Sequence, residues 1–317
     1  MNMRNYIIRR LFQTIPVLFF VSSIVFLTLH LSGDPVKIMF ARTPGFTQEM
    51  IENARRNLGL DQPLYVQYFT WISGVLQGDF GFSYLNKMPV STILMQRLPA
   101  SIELAVVSLF LAILVAIPGG IVTALKRGTV IDHVVTAIVT AGIAFPGFWL
   151  GILVVLLFAV RLNWLPSNGY VEFTRDPIGN LRFLILPALT MTIILAAPIM
   201  RFLRSSMLDV MGEDYILVAR AKGLKERTVI YLHALKNALI PTITVIGMQF
   251  GTMIGGMVMI EWVFAWRGVG WLIVTSILKR DYMVVMGGVL VVATIFVLVN
   301  LVVDILYGVL DPRIRYK

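Results

Sequence analysis

The sequence contains no cysteine and few charged residues. Of its 317 residues, 14% are charged and 58% are hydrophobic. Without cysteine, the sequence can form no disulfide, no thiol-based active centre and no thiolate metal site. The hydrophobic fraction is too high for an ordinary soluble domain, which indicates a membrane protein.

Motifs for phosphate binding and common catalytic centres are also missing. No lysine follows a glycine, so the sequence has no Walker A loop. It has no His-Glu-x-x-His motif either, and its three histidines, His30, His133 and His233, lie in different regions. Gly81-Phe82-Ser83 lacks the second glycine of a nucleophile elbow. We therefore expect no enzymatic activity, no metal site and no cofactor bound by this chain.

Six long windows contain no Asp, Glu, Lys or Arg. A transmembrane helix needs about 20 mostly apolar residues, and a charge at its centre costs about 3 kcal/mol on insertion scales. The windows are 18 to 27 residues long. They predict an all-α polytopic membrane protein with six transmembrane helices. The windows are 11–33, 104–125, 134–160, 183–200, 237–260 and 282–303.

Two uncharged segments need a separate interpretation. The first window follows several arginines, like a signal peptide, but its apolar run is longer than usual and no small-x-small cleavage site precedes Asp34. We predict that this helix is retained. The gap 62–78 contains Gln, Pro, Ser and Gly, and is predicted to be an amphipathic surface helix. Prolines inside windows, such as Pro146, are interpreted as packing kinks.

Basic residues are distributed unevenly across the predicted membrane. One side carries 15 of the 27 Lys and Arg residues, around both ends of the chain, the 126–127 turn and the 201–236 segment. Half of the other 12 lie in the long 34–99 loop, which the positive-inside rule discounts. Both termini are therefore predicted to be cytoplasmic. Because this topology accounts for the net charge of +10, nucleic-acid binding is not predicted.

The 213–241 segment is a long polar stretch that still has a helical pattern. Asp214 is predicted to cap a short helix of residues 215–222, and Gly223 to end it in the left-handed conformation. Flanking basic residues place this unit at the cytoplasmic surface, where another protein can bind it. A second helix is predicted from apolar residues spaced three and four apart: Val229, Leu232, Leu235 and Leu239.

This unit resembles the cytoplasmic coupling (EAA) loop of binding-protein-dependent ABC importer permeases. The resemblance rests on Ala219-x-x-x-Gly223, nine further residues, and then His233-Ala234-Leu235. The amino-acid sequence of this segment is similar to that of the first permease subunit in the dipeptide, oligopeptide and nickel branch. Leu217 and Lys236 stand where the general pattern has Glu and Pro.

The resemblance implies a set of residues that couple the permease to an ATPase. Ala219 is expected to share a helix face with Gly223 and to meet a groove of the ATPase. Glu226 is expected to be solvated, and the His233 side chain to be packed. The implied coupling residues are Glu213, Asp214, Tyr215, Ala219, Arg220, Ala221, Lys222, Gly223, Leu224, His233 and Leu235.

Further motifs of the same family lie in the predicted external segments. The 34–99 segment is predicted to hold a helix ending near Gly59, a proline-led helix through Leu76 and a turn at 78–83, and to rest on the membrane domain or on a partner. Residues 261–272 resemble a re-entrant element of the family, with Arg267 in place of Pro. The external residues expected to face a binding protein are Asp79, Gly81, Glu261, Trp266, Gly268 and Gly270.

A second external stretch, 161–182, carries three aromatic residues, Trp164, Tyr170 and Phe173. These are interpreted as an interfacial aromatic belt, with pore lining as the alternative. We divide the chain into a cytoplasmic N-terminus and first span (1–33), an external helical segment (34–99), a five-helix permease core (100–308) including a coupling loop (205–236), and a cytoplasmic tail (309–317).

The resemblance implies a type I ABC importer permease in the inner membrane of a prokaryote. Its expected partners are a sister permease, two ATP-binding subunits that carry ATP and Mg²⁺, an external solute-binding protein and membrane lipid. The expected cargo is di- and oligopeptides, with glutathione-like compounds, nickel complexes or oligosaccharides as alternatives. An ion-coupled secondary transporter and a non-transporting scaffold are rival classes. The former is disfavoured because the carboxylates Glu103, Glu261 and Asp304 border spans and none lies at mid-membrane.

Overall fold

The computed structural model describes residues 3–31, 52, 55–56 and 59–310 of the chain. Two predicted features fall partly outside these residues: the helix ending near Gly59 and the 309–317 tail.

Most of the described residues are helical. An antiparallel hairpin, β1 (Phe82–Ser83) and β2 (Met88–Pro89), interrupts the helices. In chain order, the helices within the described ranges are α1 (Met3–Leu31), α2 (Leu64–Leu76), α3 (Val90–Leu125), α4 (Val130–Ala144), α5 (Gly147–Arg161), α6 (Pro177–Met211), α7 (Asp214–Ala221), α8 (Glu226–Val263), α9 (Val269–Lys279) and α10 (Tyr282–Leu310). Two stretches are π-helical, Val155–Arg161 at the end of α5 and Val229–Ala234 near the start of α8.

In the described part of the chain, five helices are long and apolar enough to cross a membrane: α1, α3, α6, α8 and α10. Helices α4 and α5 pass the same test together, but they are bent by 113° relative to each other. Counted as one broken span, they bring the total to six. The predicted helical membrane fold is confirmed, with its third window folded as a bent pair.

The bend between α4 and α5 has a local cause. Phe145 is extended, with φ −93° and ψ 140°, and Pro146 caps the start of α5. A residue before proline disfavours the helical conformation, and proline has no N–H to continue the helical hydrogen bonds. The change of direction at Pro146 is therefore larger than the packing kink predicted there.

Two helices extend well past the uncharged windows. Helix α3 begins at Val90 and is 36 residues long, which corresponds to about 54 Å against a hydrocarbon core of about 30 Å. Helix α6 is 35 residues long. It begins where the Asp176 carboxylate accepts a hydrogen bond from the Gly179 N–H at 2.9 Å, with Pro177 at its first position. The charged residues that bound the windows predict the membrane-spanning part of each helix. The start of α6 is instead set by its N-cap, Asp176.

The described residues form two compact units. The first contains Ile102–Trp266 together with the described parts of Met1–Ile8 and Leu298–Lys317. Its core joins the end of α6 to α7 and the start of α8, with Leu203, Met207 and Ile216 having no exposed surface. The predicted boundaries at 33, 99 and 308 follow the membrane instead, and they stay predictions.

The second unit contains the described parts of Arg9–Ser101 and Arg267–Val297. One cluster packs the start of α3 against α9 and α10, where a Cβ at Gly287 would lie 2.9 Å from a Val90 methyl carbon. A second cluster packs Phe26 of α1, Tyr68 of α2 and Met286 of α10. Helix α2 thus follows Pro63 and rests on membrane helices, as the sequence predicted.

Candidate functional site

The predicted coupling segment folds as a helix, a glycine turn and a second helix. Helix α7 begins one residue earlier than predicted, because Glu213 and not Asp214 is its N-cap. At its end, the Gly223 N–H donates to the Arg220 carbonyl at 2.9 Å and the Leu224 N–H donates to the Ala219 carbonyl at 3.4 Å. This is the Schellman pattern, and Gly223 has the expected left-handed conformation, with φ +75°.

The inner face of α7 packs into the permease itself. Ile216 is fully buried and Ala219 is 7% exposed, in one cluster with Leu203 and Met207 of α6 and Val229 of α8. The structure therefore does not place Ala219 at the exposed surface with Gly223, as the sequence interpretation expected. Ala219 holds α7 on its support.

Two polar contacts fix α7 to α8. The Asn237 side-chain amide donates to the Tyr215 hydroxyl at 2.9 Å. Arg220 donates to both carboxylate oxygens of Glu226, at 2.7 and 3.2 Å. Glu226 is exposed as predicted, but this ion pair makes it part of the unit. The sequence pattern did not identify Asn237, because its partner is 22 residues away.

The outer face of α7 presents apolar side chains to solvent. Leu217 is 56% exposed and Val218 is 52% exposed, so the position where the family pattern has Glu is occupied here by an exposed leucine. Ala221, at the end of the helix, and Leu224, just beyond it, are also exposed. Helix α7 lies outside all the apolar windows, and exposed apolar patches in such places mark interaction surfaces. We call Leu217 and Val218 the α7 knob.

The remaining predicted coupling residues divide between surface and core. Glu213, Asp214 and Lys222 are exposed. Leu235 is partly buried and packs against the α7 cluster. His233 is half-buried in the π-helical stretch, and its carbonyl accepts a hydrogen bond from Asn237 at 2.8 Å. These positions agree with a helical unit that has one supported and one free face.

An ion pair missed by sequence reasoning lies on the helix that supports α7. Arg204 of α6 donates from two nitrogens to Asp132 of α4, at 2.7 and 2.8 Å. The Gly128 N–H donates to the same carboxylate at 3.0 Å, and the Asp132 side chain is only 4% exposed. A bidentate arginine–carboxylate pair fixes geometry as well as charge. It joins α4 to α6 one residue beyond Leu203, which belongs to the cluster that supports α7.

Substitutions at Gly223 separate backbone strain from charge. A Cβ there meets no atom within 4 Å, so only the left-handed backbone penalises a side chain. Gly223→Ala should cost about 1 kcal/mol of local stability, whereas Gly223→Asn should cost less because Asn tolerates this conformation. Gly223→Asp, nearly isosteric with Asn, adds a negative charge at the negative end of α7. We expect transport to be retained in the Asn variant and lost in the Asp variant, with equal membrane abundance. Equal transport by the two variants would contradict a role for this surface.

The predicted residues Asp79 and Gly81 lie just before the β1–β2 hairpin. The Asp79 carboxylate accepts a hydrogen bond from the Gly81 N–H at 2.8 Å, and Gly81 has φ +87°. Asp79 is exposed and Gly81 is half-buried. The sequence interpretation overlooked the apolar side chains of this hairpin, which could have been noticed as aromatic residues in a short loop. The exposed ones are Phe82, Tyr84 and Leu85.

A buried carboxylate anchors the hairpin. The Ser83 hydroxyl donates to Asp281 at 2.5 Å, and the Asn86 side-chain amide donates to the same oxygen at 3.3 Å. Asp281 lies in the turn between α9 and α10, outside the membrane spans. Burial raises the pKa of its carboxyl above the ordinary range, and these hydrogen bonds partly oppose the rise.

This raised pKa predicts a pH dependence of stability. Because the carboxyl binds a proton more tightly in the folded protein than in the unfolded chain, folding is favoured below its folded-state pKa and loses this contribution as pH rises through it. The difference in Tm between the wild type and Asp281→Asn should be measured in detergent from about pH 4, the ordinary pKa of aspartate, to about pH 8. Acidification across this range should stabilise the wild type relative to the variant. A difference that stays constant across this range would contradict the assignment.

The other predicted external residues lie inside the protein. Glu261 and Trp266 have no exposed surface, and Gly268 and Gly270 are buried. Neither glycine needs a positive φ, whereas Ala265 adopts one, at +48°. Direct contact of Glu261 or Trp266 with an external protein is therefore not what this conformation shows.

The three aromatic residues of the 161–182 stretch do not share one environment. Trp164 is 69% and Phe173 52% exposed, as expected for a belt. Tyr170 instead packs edge-on against Trp266, with ring centroids 4.7 Å apart, and the neighbouring Gly169 N–H donates to the Phe264 carbonyl at 2.9 Å. Tyr170 therefore anchors this loop and does not belong to a belt.

Comparisons with known proteins agree with this arrangement. Residues 116–316 match the family model for the binding-protein-dependent transport system inner membrane component, and residues 3–105 match the model for the N-terminal part of such membrane components. The glutathione transport system permease protein GsiC of Escherichia coli (strain K12) is 42% identical over 316 residues, which is 99% of this chain and 100% of the relative. The protein of the same name from Shigella dysenteriae serotype 1 (strain Sd197) is equally similar.

A solved structure supports the fold. The MetNI methionine ABC transporter, in an inward-facing conformation, aligns with a TM-score of 0.57 at 20% identity, over 69% of this chain and 96% of that chain. The family matches cover both parts of the sequence, and the full-length relatives exceed 40% identity. The chain therefore belongs to the family of binding-protein-dependent transport system inner membrane components, and it is a permease subunit of an ABC importer with the type I fold.

Proposed function

We propose that this chain carries a short peptide of the glutathione class across the inner membrane, driven by an ATPase that docks on α7. Because the chain belongs to this family, it is neither an ion-coupled secondary transporter nor a scaffold. Permease subunits of this kind are not themselves enzymes. The observation that carries the coupling proposal is the α7 knob, an apolar surface on a helix whose opposite face is seated in the permease core.

The geometry of α7 suits the transmission of force. A short helix moves as a rigid body, and α7 is held to α6 and α8 by its buried face, the Tyr215–Asn237 hydrogen bond and the Arg220–Glu226 ion pair. A push on the α7 knob is thus passed to two membrane helices. When the ATPase subunits close on ATP, the helices reorient and access to the cargo site alternates.

The proposed complex contains this chain, a sister permease, two ATP-binding subunits and an external solute-binding protein. The family implies ATPase and binding-protein partners, and we infer the numbers of subunits by resemblance to such importers. ATP and Mg²⁺ bind to the ATPase subunits, and this chain holds no cofactor. Both termini and α7 face the cytoplasm, and the hairpin and α2 face outward.

The cargo proposal rests on the relatives. A glutathione permease is 42% identical over 99% of this chain. This likeness supports the alternative of glutathione-like compounds over the di- and oligopeptides that were expected first. In proteoliposomes that hold the whole complex and its binding protein, uptake of labelled glutathione should depend on ATP and should be inhibited by excess unlabelled glutathione. Saturable uptake of dipeptides or nickel complexes, with none of glutathione, would overturn the cargo proposal and leave the coupling proposal standing.

The orientation can be tested directly because the chain has no cysteine. Single cysteines at Lys225 and Asn86 both replace exposed residues. A membrane-impermeant maleimide added to spheroplasts should label the Asn86→Cys variant, whereas the Lys225→Cys variant should be labelled only after the membrane is opened. Labelling of Lys225→Cys in intact spheroplasts would invert the proposed topology.

A further inference from the structure

The second unit contains an apolar cavity of about 600 Å³ that the transport function does not explain. Helices α1, α2 and α10 form most of its wall, and Leu98 of α3 also lines it. The space is partly open at the surface of the chain, so a ligand can enter it from outside. Representative lining residues are Leu18, Phe19, Tyr68, Ile72, Leu290 and Ile295.

The wall offers no free polar group to a ligand. Its three polar side chains are Ser22, Tyr68 and Thr294. The hydroxyls of Ser22 and Tyr68 are hydrogen-bonded to each other at 2.8 Å, and the Thr294 hydroxyl donates to the Leu290 carbonyl at 2.7 Å. A polar ligand would lose its hydrogen bonds to water on entry and find no replacement, which is costly. The occupant is therefore a hydrocarbon.

The position of the cavity identifies the source of that hydrocarbon. Only 11% of the most apolar α1 window is buried within this chain, so the chain leaves most of that apolar surface uncovered. The cavity lining on α1 runs from Ile15 to Ser22, around the middle of that helix, and Tyr68 of α2 is held there by its hydrogen bond to Ser22. The cavity therefore lies beside the middle of a candidate membrane span, which is the depth at which lipid acyl chains end in a bilayer.

We propose that this cavity binds the end of an acyl chain of a membrane phospholipid, which fills the space between α1, α2 and α10. The assignment is independent of the transport function and of the orientation of the chain in the membrane. The end of the acyl chain lies near Leu18 and Ile295.

The test uses the assembled transporter in nanodiscs of phosphatidylcholine that carries a photoactivatable diazirine at the end of one acyl chain. After irradiation, digestion and mass spectrometry locate the labelled residues. Residues at the deep end of the cavity, such as Leu18, should be labelled severalfold more than Phe12 or Phe20, which are 67% and 62% exposed on the same helix. Equal labelling of all three would mean ordinary surrounding lipid and would overturn the proposal.

The same photolabelling experiment is repeated with variants whose larger side chains fill the cavity. Val291→Phe places a ring in the space and should remove the excess labelling of Leu18. Val302→Phe is the matched control, because Val302 lies on the same helix but is 56% exposed, and labelling should not change. If Val291→Phe fails to assemble, Ile72→Trp on α2 serves instead. Cross-links from cavity residues to a sister subunit or to residues 32–58 would show that protein occupies the space, which contradicts the proposal.

Discussion

Val218→Asp should abolish ATP-driven uptake while the permease still inserts, folds and accumulates normally. Val218 is 52% exposed and lies outside the membrane spans, so an aspartate there is solvated in the free subunit and costs the fold little. In the complex, the same carboxylate would have to leave water against an apolar groove. Loss of a buried interface anchor typically costs about 2 kcal/mol or more, which corresponds to about a 30-fold loss of affinity.

The measurement is uptake together with co-purification of the ATPase subunits on a tagged permease. Both should fall for Val218→Asp, and Leu217→Asp should behave in the same way. The matched control is Val130→Asp, since Val130 is 76% exposed at the start of α4 and is not part of the α7 unit. It should retain uptake and bound ATPase. If Val218→Asp keeps a full complement of ATPase and normal uptake, α7 is not the docking helix.

The helical membrane fold could be predicted from the distribution of charged residues, because placing a charge in the hydrocarbon core has a large free-energy cost. The uncharged windows located all the spans, yet they did not give the helix lengths. Helix α3 runs through Arg97 and Glu103 without interruption, since a charged residue ends a membrane segment but does not end a helix. The break at Pro146 was visible in the sequence. Its size depends on how α4 and α5 pack, which a linear pattern does not contain.

In the coupling unit, local backbone chemistry was predictable and side-chain direction was not. Gly223 was identified as a left-handed cap because few other residues adopt that conformation without strain. Ala219 was assigned to the face of Gly223 from their four-residue spacing. That spacing implies a shared face only inside a continuous helix, and α7 ends at Ala221. Beyond the cap the chain turns, so Ala219 points into the core while Gly223 stays exposed.

The outer surface was the least predictable part, because its contacts join residues far apart in sequence. Ser83 and Asp281 are 198 positions apart, and no pattern of local spacing links them. The motif around Glu261 was assigned to the external surface by resemblance, whereas Glu261 is fully buried. Its burial depends on the loop anchored by Tyr170 and Gly169, which sequence reasoning interpreted as an interfacial belt.

Ala219→Glu should disable the permease by a different route from Val218→Asp, although the two residues are adjacent. Ala219 is 7% exposed and sits among Leu203, Met207 and Val229. A glutamate there must bury a carboxylate without a partner, or displace α7 from its support. The added volume alone costs about 1 to 3 kcal/mol in a packed core. We expect a lower Tm, reduced membrane abundance and no uptake.

Ala221→Glu is the matched control for that experiment. Ala221 lies two residues along the same helix, and its side chain is exposed. The same substitution there should leave Tm and abundance unchanged, whatever it does to ATPase docking. Tm therefore separates the supported face of α7 from its free face, while ATPase co-purification reports the free face alone. If both glutamate variants melt at the wild-type temperature, α7 is not seated on α6 and α8, and the route by which the α7 knob moves the membrane helices is lost.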